Sequence, residues 1–275
     1  MTDDEHRLLV IGAHPDDADF RAGGLAARAT ANGDAVTFVS MTDGSAGHHE
    51  LGPDELADRR RAEATAAGEV CGLEYVVRST RDGRLRPSLA ERDDVIRLIR
   101  RVQPDLILTH RPNDYHPDHR YTAQLVRDAA FMVMVPNVCP DVDPLAENPA
   151  IAYVQDDFDR PYPFDPDLFV EVTGEALAAK YEMIACHESQ TFEWLPHLAG
   201  ILEDVPDDPD ARREWLDTDP LSTMETMAET ADRHREALAA AVGPAAAGEI
   251  TYVEPFEVSE YGGSVPDHIR DAWFV

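Results

Sequence analysis

The sequence predicts an α/β fold in which helices cover both faces of a mostly parallel sheet. Short apolar runs alternate with amphipathic stretches through the first half of the chain, and this β-α-β-α order is typical of parallel sheets. The length of 275 residues fits one large domain, or one domain with an appendage. Hydrophobic residues make up 43% of the chain, which is enough to bury a sizeable core.

Each predicted element has its own signal in the sequence. Strands are expected where short aliphatic or aromatic runs end in polar turns, and helices where charged or amphipathic stretches end at Gly33, Gly72 or Pro104. Pro53 suits a first helical position. The predicted strands cover residues 7–13, 36–41, 75–78, 105–109, 151–154 and 168–172. The predicted helices cover residues 19–32, 53–71, 89–102, 118–133, 175–186, 192–202 and 221–242.

The chain is predicted to consist of a core at residues 1–190 and a mainly helical C-terminal extension at residues 191–275 that packs on the core. Within the core, residues 135–166 are rich in proline and acidic residues. Loops of this length are uncommon in compact domains unless they are functional or disordered. We expect an ordered loop excursion that covers or lines a site, and a proline-rich linker is the alternative.

The charge of the chain is strongly negative. It has 54 acidic residues, 24 basic residues and a formal net charge of −30, and its only lysine is Lys180. Nucleic acids and anionic membranes bind through patches of lysine and arginine, so we expect neither as a partner. Because such charge opposes the compact state unless salt screens it, we interpret the surface as an adaptation to a high-salt cytosol.

The remaining bulk features favour a soluble, cytoplasmic protein. No apolar run approaches the roughly 18 residues of a membrane span, and the first thirty residues do not have the pattern of a signal peptide. Cys71, Cys139 and Cys186 are odd in number and far apart. We therefore expect isolated thiols, without a disulfide framework or a CxxC metal site.

Two His/Asp clusters follow predicted strands. Ala13-His14-Pro15-Asp16-Asp17 comes after the first strand, and His116-Pro117-Asp118-His119 comes after the fourth. The carboxyl ends of parallel strands lie at one edge of a sheet, where such folds bind ligands. Histidines with carboxylates can bind a catalytic zinc, activate its water and take up a proton. These residue types indicate a metal hydrolase but leave open which carboxylate binds the metal.

The two clusters together resemble the PIG-L/LmbE family of zinc-dependent N-acetylglucosaminyl-type deacetylases. Other features of the family pattern are Gly23-Gly24, Thr42-Asp43-Gly44 with Gly47, Arg60 with Glu63, Pro104-Asp105, and Lys180 before His187-Glu188-Ser189-Gln190. The resemblance covers residues 7–190, about two thirds of the chain. It implies a Rossmann-like three-layer α/β/α sandwich with a C-terminal helical elaboration.

The resemblance also implies roles for individual residues. His14, Asp17 and His119 would bind the metal, which is Zn²⁺ in the family, although such donors also accept Fe²⁺ and other divalent transition metals. Asp16 would be the general base and His116 the electrophilic or general-acid partner. The other implied site residues are Asp118, a carboxylate that orients a histidine, and three candidate substrate contacts, Arg60, Asn113 and Tyr115.

The implied reaction is removal of an N-acetyl or other N-acyl group from an amino sugar or sugar conjugate, a small-molecule substrate. Family members are often oligomeric, so a homo-oligomer is compatible with this reading. One alternative is a metal-binding relative with altered or lost catalysis. Another is a nucleotide-binding α/β protein, but the first turn reads GAHPDDADFRAGG rather than GxGxxG, and its carboxylates would repel a pyrophosphate.

Aromatic and histidine residues outside the two clusters are interpreted as structural. We expect His187 to pack or hydrogen-bond at the end of the core rather than to bind metal, and His48 and His49 to be mobile on the surface. Phe192 and Trp194 are assigned to core packing, with stacking on a sugar as the alternative.

Overall fold

The computed structural model describes residues 5–218 and 223–275, in which seven strands form one sheet. The order across the sheet is β3-β2-β1-β4-β5-β7-β6, and only β7 runs antiparallel to its neighbours. The predicted mostly parallel sheet is therefore confirmed. The strands are β1 (Arg7–Gly12), β2 (Ala35–Ser40), β3 (Glu74–Val77), β4 (Leu106–Thr109), β5 (Ala150–Val154), β6 (Leu168–Glu171) and β7 (Val253–Val258).

Eleven α-helices occur in the described residues, and none of these is both long and apolar enough to span a bilayer. Short 3-10 helices lie at Phe131–Met134 and Leu202–Asp204, and a π-helical turn at Ser189–Trp194. The α-helices are α1 (Asp17–Ala31), α2 (Pro53–Cys71), α3 (Leu89–Val102), α4 (Pro117–Ala130), α5 (Gly174–Cys186), α6 (Leu195–Ala199), α7 (Pro209–Thr218), α8 (Thr223–Arg233), α9 (Arg235–Val242), α10 (Pro244–Glu249) and α11 (Asp267–Trp273).

The last two predicted helices are divided in the structure. Residues 192–202 contain the end of the π-helical turn, α6 and the start of a 3-10 helix. Of the predicted helix at residues 221–242, residues 221 and 222 lie outside the described residues. The remainder consists of α8 and α9, which are separated at His234.

Alternation along the strands produces two cores, one on each face of the sheet. Leu8 and Val10 of β1 pack with α1, α5 and α11, whereas Leu9 and Ile11 pack with α3 and α4. All four side chains are at most 1% exposed, and burial of each contributes about 1.5–3 kcal/mol of transfer free energy. The two cores make the three-layer α/β/α sandwich.

The direction of chain progression reverses between β1 and β4. From β1 the chain moves outwards through β2 and β3, and it then returns to place β4 on the other side of β1. Open α/β sheets bind ligands at such a switch point, beyond the carboxyl ends of the strands. Both His/Asp clusters begin there, since one follows β1 and the other follows β4.

Residues beyond the predicted boundary at residue 190 contribute a strand to the sheet. β7, from the predicted helical extension, lies between β5 and β6 within the sheet. Pro255 made this strand hard to predict, because proline cannot donate to a ladder of hydrogen bonds. The β5 pairing of β7 extends only from Phe256 to Val258, so Pro255 lies where β6 alone is the partner.

The proline-rich segment at residues 135–166 has three parts, with β5 in the middle. Its first part is held by Arg100, which is 2% exposed and donates hydrogen bonds to six carbonyl groups. These carbonyls belong to residues between Met132 and Val142. A guanidinium has five N–H donors in a planar fork, which allows one side chain to order this irregular backbone.

Candidate metal centre and active site

The turn after β1 is closed by a side chain of the first cluster. Asp17 begins α1, and its Oδ2 accepts hydrogen bonds from the backbone N–H groups of Ala13 (2.8 Å) and His14 (2.7 Å). Gly12 allows this close turn, because a Cβ at that position would lie 2.8 Å from Cβ of Asp17. The local backbone therefore fixes the positions of His14, Asp16 and Asp17 relative to one another.

The three predicted metal ligands come together at the switch point. Nδ1 of His14 lies 3.1 Å from Nε2 of His119 and 3.5 Å from Oδ2 of Asp17. Nε2 of His119 lies 3.5 Å from Oδ1 of the same carboxylate. Zinc bonds to nitrogen and oxygen are about 2.0–2.2 Å long, so tetrahedral ligand atoms are about 3.3–3.6 Å apart. The two distances to Asp17 fall in this range, one to each carboxylate oxygen, and the distance between the two histidine nitrogens is slightly shorter.

Carboxylates lie behind both histidines. Nε2 of His14, the nitrogen opposite Nδ1, is 3.1 Å from Oδ1 of Asp82 and 3.8 Å from Oδ2 of Asp118. Nδ1 of His119 is 3.1 Å from Oδ2 of Asp114, without the alignment of a hydrogen bond. Carboxylates in this position fix the orientation of a metal-binding imidazole and raise its basicity. Asp118 also accepts from the backbone N–H of Gly83 at 2.6 Å, which ties it to the loop after β3.

The proximity of opposite charges shifts the pKa values at this centre. Burial lowers the pKa of His14, but hydrogen bonds to Asp118, Asp17 and Asp82 outweigh it and raise this pKa well above its ordinary value. Burial raises the pKa of Asp17, but the charges of His119 and His110 hold it well below the ordinary range. Burial likewise opposes ionisation of Asp82, yet its hydrogen bond to His14 brings its pKa to about 2.

His110 is a further histidine at the same place. It directly follows β4, is 5% exposed, and its Nε2 lies 3.1 Å from Oδ2 of Asp17. Its ring stacks on that of His119, with centroids 4.0 Å apart. Burial is the main reason why the pKa of His110 is lowered. Asp17, His110 and His119 also have donor atoms close enough to hold an ion together, so this centre has one histidine more than the predicted set.

Asp16 is held by a buried arginine. Nη2 of Arg60 lies 2.9 Å from Oδ2 of Asp16, and the guanidinium donates to the carbonyls of Gly44 (3.2 Å) and Pro15 (3.1 Å). Arg60, one of the predicted substrate contacts, is only 2% exposed. Its side chain extends from α2 to the loops after β1 and β2, where it contacts Asp16.

His116 caps the N-terminus of α4 beside the metal-binding atoms. Its Nδ1 accepts from the backbone N–H of Asp118 at 3.2 Å, and its ring centroid is 4.6 Å from that of His14. Burial and the charges of His14 and His119 lower the pKa of His116. A neutral imidazole that accepts at Nδ1 has its proton on Nε2. His116 can therefore donate a hydrogen bond through Nε2.

Asn113 and Tyr115 lie at the rim. The Tyr115 ring is 70% exposed, with centroids 5.7 Å from His116 and 6.2 Å from Phe158. Asn113 donates to the carbonyl of Arg160. Both contacts join the rim to the last part of the proline-rich segment, which is therefore a wall of the site.

Buried Arg111 holds this wall in place. Its Nη1 lies 2.6 Å from Oδ1 of Asp156 and 3.0 Å from the carbonyl oxygen of Phe158, and its Nη2 donates to the carbonyl of Tyr162 at 2.8 Å. Arg111 follows directly after His110 at the end of β4. One loop therefore carries both a histidine of the metal centre and the anchor of the wall.

Residues 9–130 match the family model described as PIG-L, GlcNAc-PI de-N-acetylase. This range begins in β1, ends with α4 and contains every residue described above at the metal centre. The chain contains a PIG-L family domain. The resemblance inferred from the two His/Asp clusters is thereby confirmed.

Curated relatives of this PIG-L domain protein include two different activities. The diacetylchitobiose deacetylase of Thermococcus kodakarensis is 28% identical over 214 residues, which are 72% of this chain and 77% of the relative. The 4-oxalmesaconate hydratase of Pseudomonas putida is 28% identical over 205 residues, 70% and 78% of the two chains. A solved N,N'-diacetylchitobiose deacetylase from Pyrococcus horikoshii superposes with a TM-score of 0.70 at 24% identity, covering 94% of this chain and 85% of that one.

The sequence analysis pointed to the loop at His110 and to Asp114 near the site, but it assigned neither of them, nor Asp82, a role at the metal centre. Asp82 and Asp114 lie in loops, after β3 and β4, and the sequence has 32 aspartates in all. A usable signal was present for His110, because it is the first residue after the apolar strand β4 and thus lies at the ligand-binding edge.

Proposed function

We propose that this protein is a metal-dependent N-deacylase that removes an acetyl or similar acyl group from an amino sugar. The observation that carries the proposal is the group of donor atoms from His14, Asp17 and His119, which lie within 3.5 Å of one another. Asp16 stands beside this group, with its carboxylate fixed by Arg60. The deacetylase among the curated relatives supports an amide of an amino sugar as the substrate.

Zinc is the proposed metal, and iron(II) would suit the same donors. A divalent ion held by His14, Asp17 and His119 would act as a Lewis acid and lower the pKa of water towards ~7. Both histidines have a carboxylate next to the nitrogen that faces away from the donor group. These outer carboxylates favour the orientation and the basicity that metal binding requires.

Asp16 is the proposed general base. It is only 9% exposed and next to Asp17 in the chain. It accepts a proton as the water oxygen bonds to the amide carbon. Arg60 holds one carboxylate oxygen, which limits rotation of the Asp16 side chain. When the carbon–nitrogen bond breaks, the same proton moves to the leaving nitrogen. The products are the free amine and the carboxylic acid, which then releases its remaining proton to water.

His116 is the proposed hydrogen-bond donor to the amide oxygen. Its Nδ1 is occupied by the N–H of Asp118, so the neutral ring donates through Nε2. A donor positioned before the reaction stabilises negative charge that develops on the carbonyl oxygen in the transition state. Loss of one such donor typically costs about 10²–10³ in kcat. Tyr115, at the rim beside His116, is a candidate contact for the sugar.

The experiment that tests this proposal combines metal analysis with acetate release. Wild type, Asp16→Asn and Asp17→Ala are purified in high KCl, metal per chain is measured by mass spectrometry, and acetate release from N-acetylglucosamine and N,N'-diacetylchitobiose is followed. We expect about one metal ion per chain in wild type and Asp16→Asn, and little in Asp17→Ala. Acetate release should be lost in both variants.

Two results would contradict the proposal. Wild-type turnover in Asp16→Asn would exclude this residue as the base, and unchanged metal content in Asp17→Ala would exclude it as a ligand. Metal with no acetate release from either glycan, or from other N-acyl amino sugars, would contradict deacylation but leave the metal centre standing.

A hydratase is the second candidate, because one relative of similar identity and coverage is a 4-oxalmesaconate hydratase. Addition of water to a carbon–carbon double bond can use the same metal, with one group to activate water and another to protonate carbon. Loss of the ultraviolet absorbance of an unsaturated dicarboxylate, without acetate release from glycans, would favour this alternative. The net charge of −30 disfavours it, since it repels anionic substrates.

A nucleotide-binding role has little support from the site. The N-terminus of α1 is occupied by Asp16 and Asp17, where a phosphate-binding turn would present free N–H groups. The acidic surface supports the proposal that the enzyme works in a cytoplasm of high salt.

A further inference from the structure

Three histidines and a tryptophan form a stack of nearly parallel rings outside the metal centre. His48 and His49 have centroids 4.7 Å apart and an interplanar angle of 15°, and His49 and His197 have values of 3.9 Å and 6°. The Trp194 ring is inclined by only 14° to His49 and by 20° to His197. These four residues, His48, His49, Trp194 and His197, are called the ring stack below.

The inner end of the ring stack is fixed. The His48 side chain is 2% exposed, its Nδ1 accepts from the backbone N–H groups of Glu50 and Leu51, and its Nε2 lies 2.8 Å from Oε2 of Glu193. Glu193 receives two further hydrogen bonds from Arg59, at 2.8 and 2.6 Å. His48 was expected to be a mobile surface residue, but these contacts hold it in one orientation.

The outer end of the ring stack is open. His197 is exposed, and the neighbouring Leu198 is 62% exposed. His49, between the other two histidines, has a buried Nδ1 with no hydrogen-bond partner in the described part of the chain. The neighbouring rings therefore hold His49 through contacts with its two faces, without a hydrogen bond at Nδ1. A stack fixed at one end and open at the other presents a rigid flat surface to a ligand.

The ring stack begins close to the metal centre. Asp82, which contacts His14, also accepts from the backbone N–H of Ala46 at 3.2 Å. The next residue, Gly47, accepts a hydrogen bond from Gln190, and a Cβ at Gly47 would lie 3.2 Å from Nε1 of Trp194. Given a spacing of about 3.8 Å between consecutive Cα atoms, one short loop joins the two places.

We propose that the ring stack is a subsite for a second pyranose ring, the one joined to the N-acylated sugar at the metal centre. The inference rests on the proposed function, and it specifies that the substrate is an oligosaccharide. Ligand sites commonly use aromatic side chains for flat apolar faces and a few polar groups for orientation. The acidic side chain of Glu193 contacts the stack at His48, so a neutral sugar suits it better than a phosphorylated one.

The test compares a monosaccharide with a disaccharide in four proteins. Acetate release gives kcat/KM for N-acetylglucosamine and N,N'-diacetylchitobiose in wild type, His197→Ala, His197→Phe and the control His268→Ala. His268 is an exposed histidine of α11, and its ring centroid is 4.9 Å from that of His6, ahead of β1 at the opposite edge of the sheet. Disaccharide affinity is also measured by tryptophan fluorescence in the same proteins with Asp16→Asn added, so that turnover does not consume the ligand.

We expect His197→Ala to lower kcat/KM for the disaccharide roughly fivefold, the effect of about one ring contact, and to leave the value for the monosaccharide unchanged. His197→Phe, which keeps a flat ring, should retain the disaccharide value, as should His268→Ala. Equal losses for both sugars, or no loss for either, would overturn the subsite while the deacylase stands. Disaccharide binding that depends on His197, without any acetate release, would support the subsite and overturn the reaction.

Discussion

Gly44 is predicted to be essential because Arg60 lies against it. Gly44 has φ of +65°, and a Cβ at this position would lie 2.5 Å from Nη1 of Arg60. Gly44→Ala therefore has two effects. It strains the backbone, since the left-handed region costs an L-residue about 1–2 kcal/mol, and it pushes the guanidinium away from Asp16 and from the carbonyls of Gly44 and Pro15.

Gly72 offers a matched control, because the two effects can be separated there. It has φ of +69° at the end of α2, the helix that carries Arg60, and nothing lies within 4 Å of an added Cβ. Gly72→Ala should lower the free energy of unfolding by about 1–2 kcal/mol. Gly44→Ala should lower it by about 2.5–5 kcal/mol, because at least one buried hydrogen bond of a charged group, worth about 1.5–3 kcal/mol, is lost in addition.

The activities of the two variants should differ more than their stabilities. A displacement of about 1 Å in a catalytic group can cost 10²-fold, so kcat for acetate release should fall about 100-fold in Gly44→Ala and remain at the wild-type value in Gly72→Ala. Metal content should be unchanged in both, since neither substitution touches a proposed ligand. Equal kcat values in the two folded variants would refute the idea that Gly44 makes room for the arginine that positions Asp16.

Three other outcomes are expected. Asp82→Asn removes the charge behind His14, so it should weaken metal affinity about 10–100-fold in a chelator competition. The control Asp271→Asn, at an exposed position, should leave the affinity unchanged. Equal affinities in the two variants would exclude a role for Asp82. Lys180→Met removes the cationic partner that lies 2.5 Å from the buried carboxylate of Glu254. The free energy of unfolding in urea should fall by about 3–5 kcal/mol, and the double variant Lys180→Met/Glu254→Gln should recover part of this loss. Additive losses from the two substitutions would contradict this coupling. The net charge of −30 predicts a melting temperature that rises between 0.1 and 3 M KCl, and an unchanged value would count against the high-salt adaptation.

The order of the first eight elements was predictable because hydrophobic periodicity and helix-ending residues agree there. The predicted helices at residues 53–71 and 89–102 have the same bounds in the structure, since Pro53, Gly72 and Pro104 limit them. Once the sheet was known to be parallel, the positions of the two clusters followed from its edge. That step brings residues 14–17 together with residues 116–119.

Contacts between loops were not predictable in this way. The bond of Arg60 to Asp16 depends on how α2 packs against the turn after β1, and no periodicity of the chain encodes that packing. β7 was not predicted because Pro255 argues against a strand. Its place between β5 and β6 depends on pairings between residues that are 82 to 106 positions apart in the chain. Long-range packing decided each of these features.

The aspartates of this site show why residue type alone could not assign their roles. Asp17 faces the donor group of two histidines, Asp16 pairs with Arg60, and Asp82 lies behind His14. The three side chains have the same carboxylate and differ only in what each one touches. Histidine contacts favour metal binding for the first, and a fixed arginine favours proton transfer for the second. The packing around each carboxylate therefore determines its role. Single substitutions of these aspartates to asparagine should separate the effects on metal affinity from the effects on turnover.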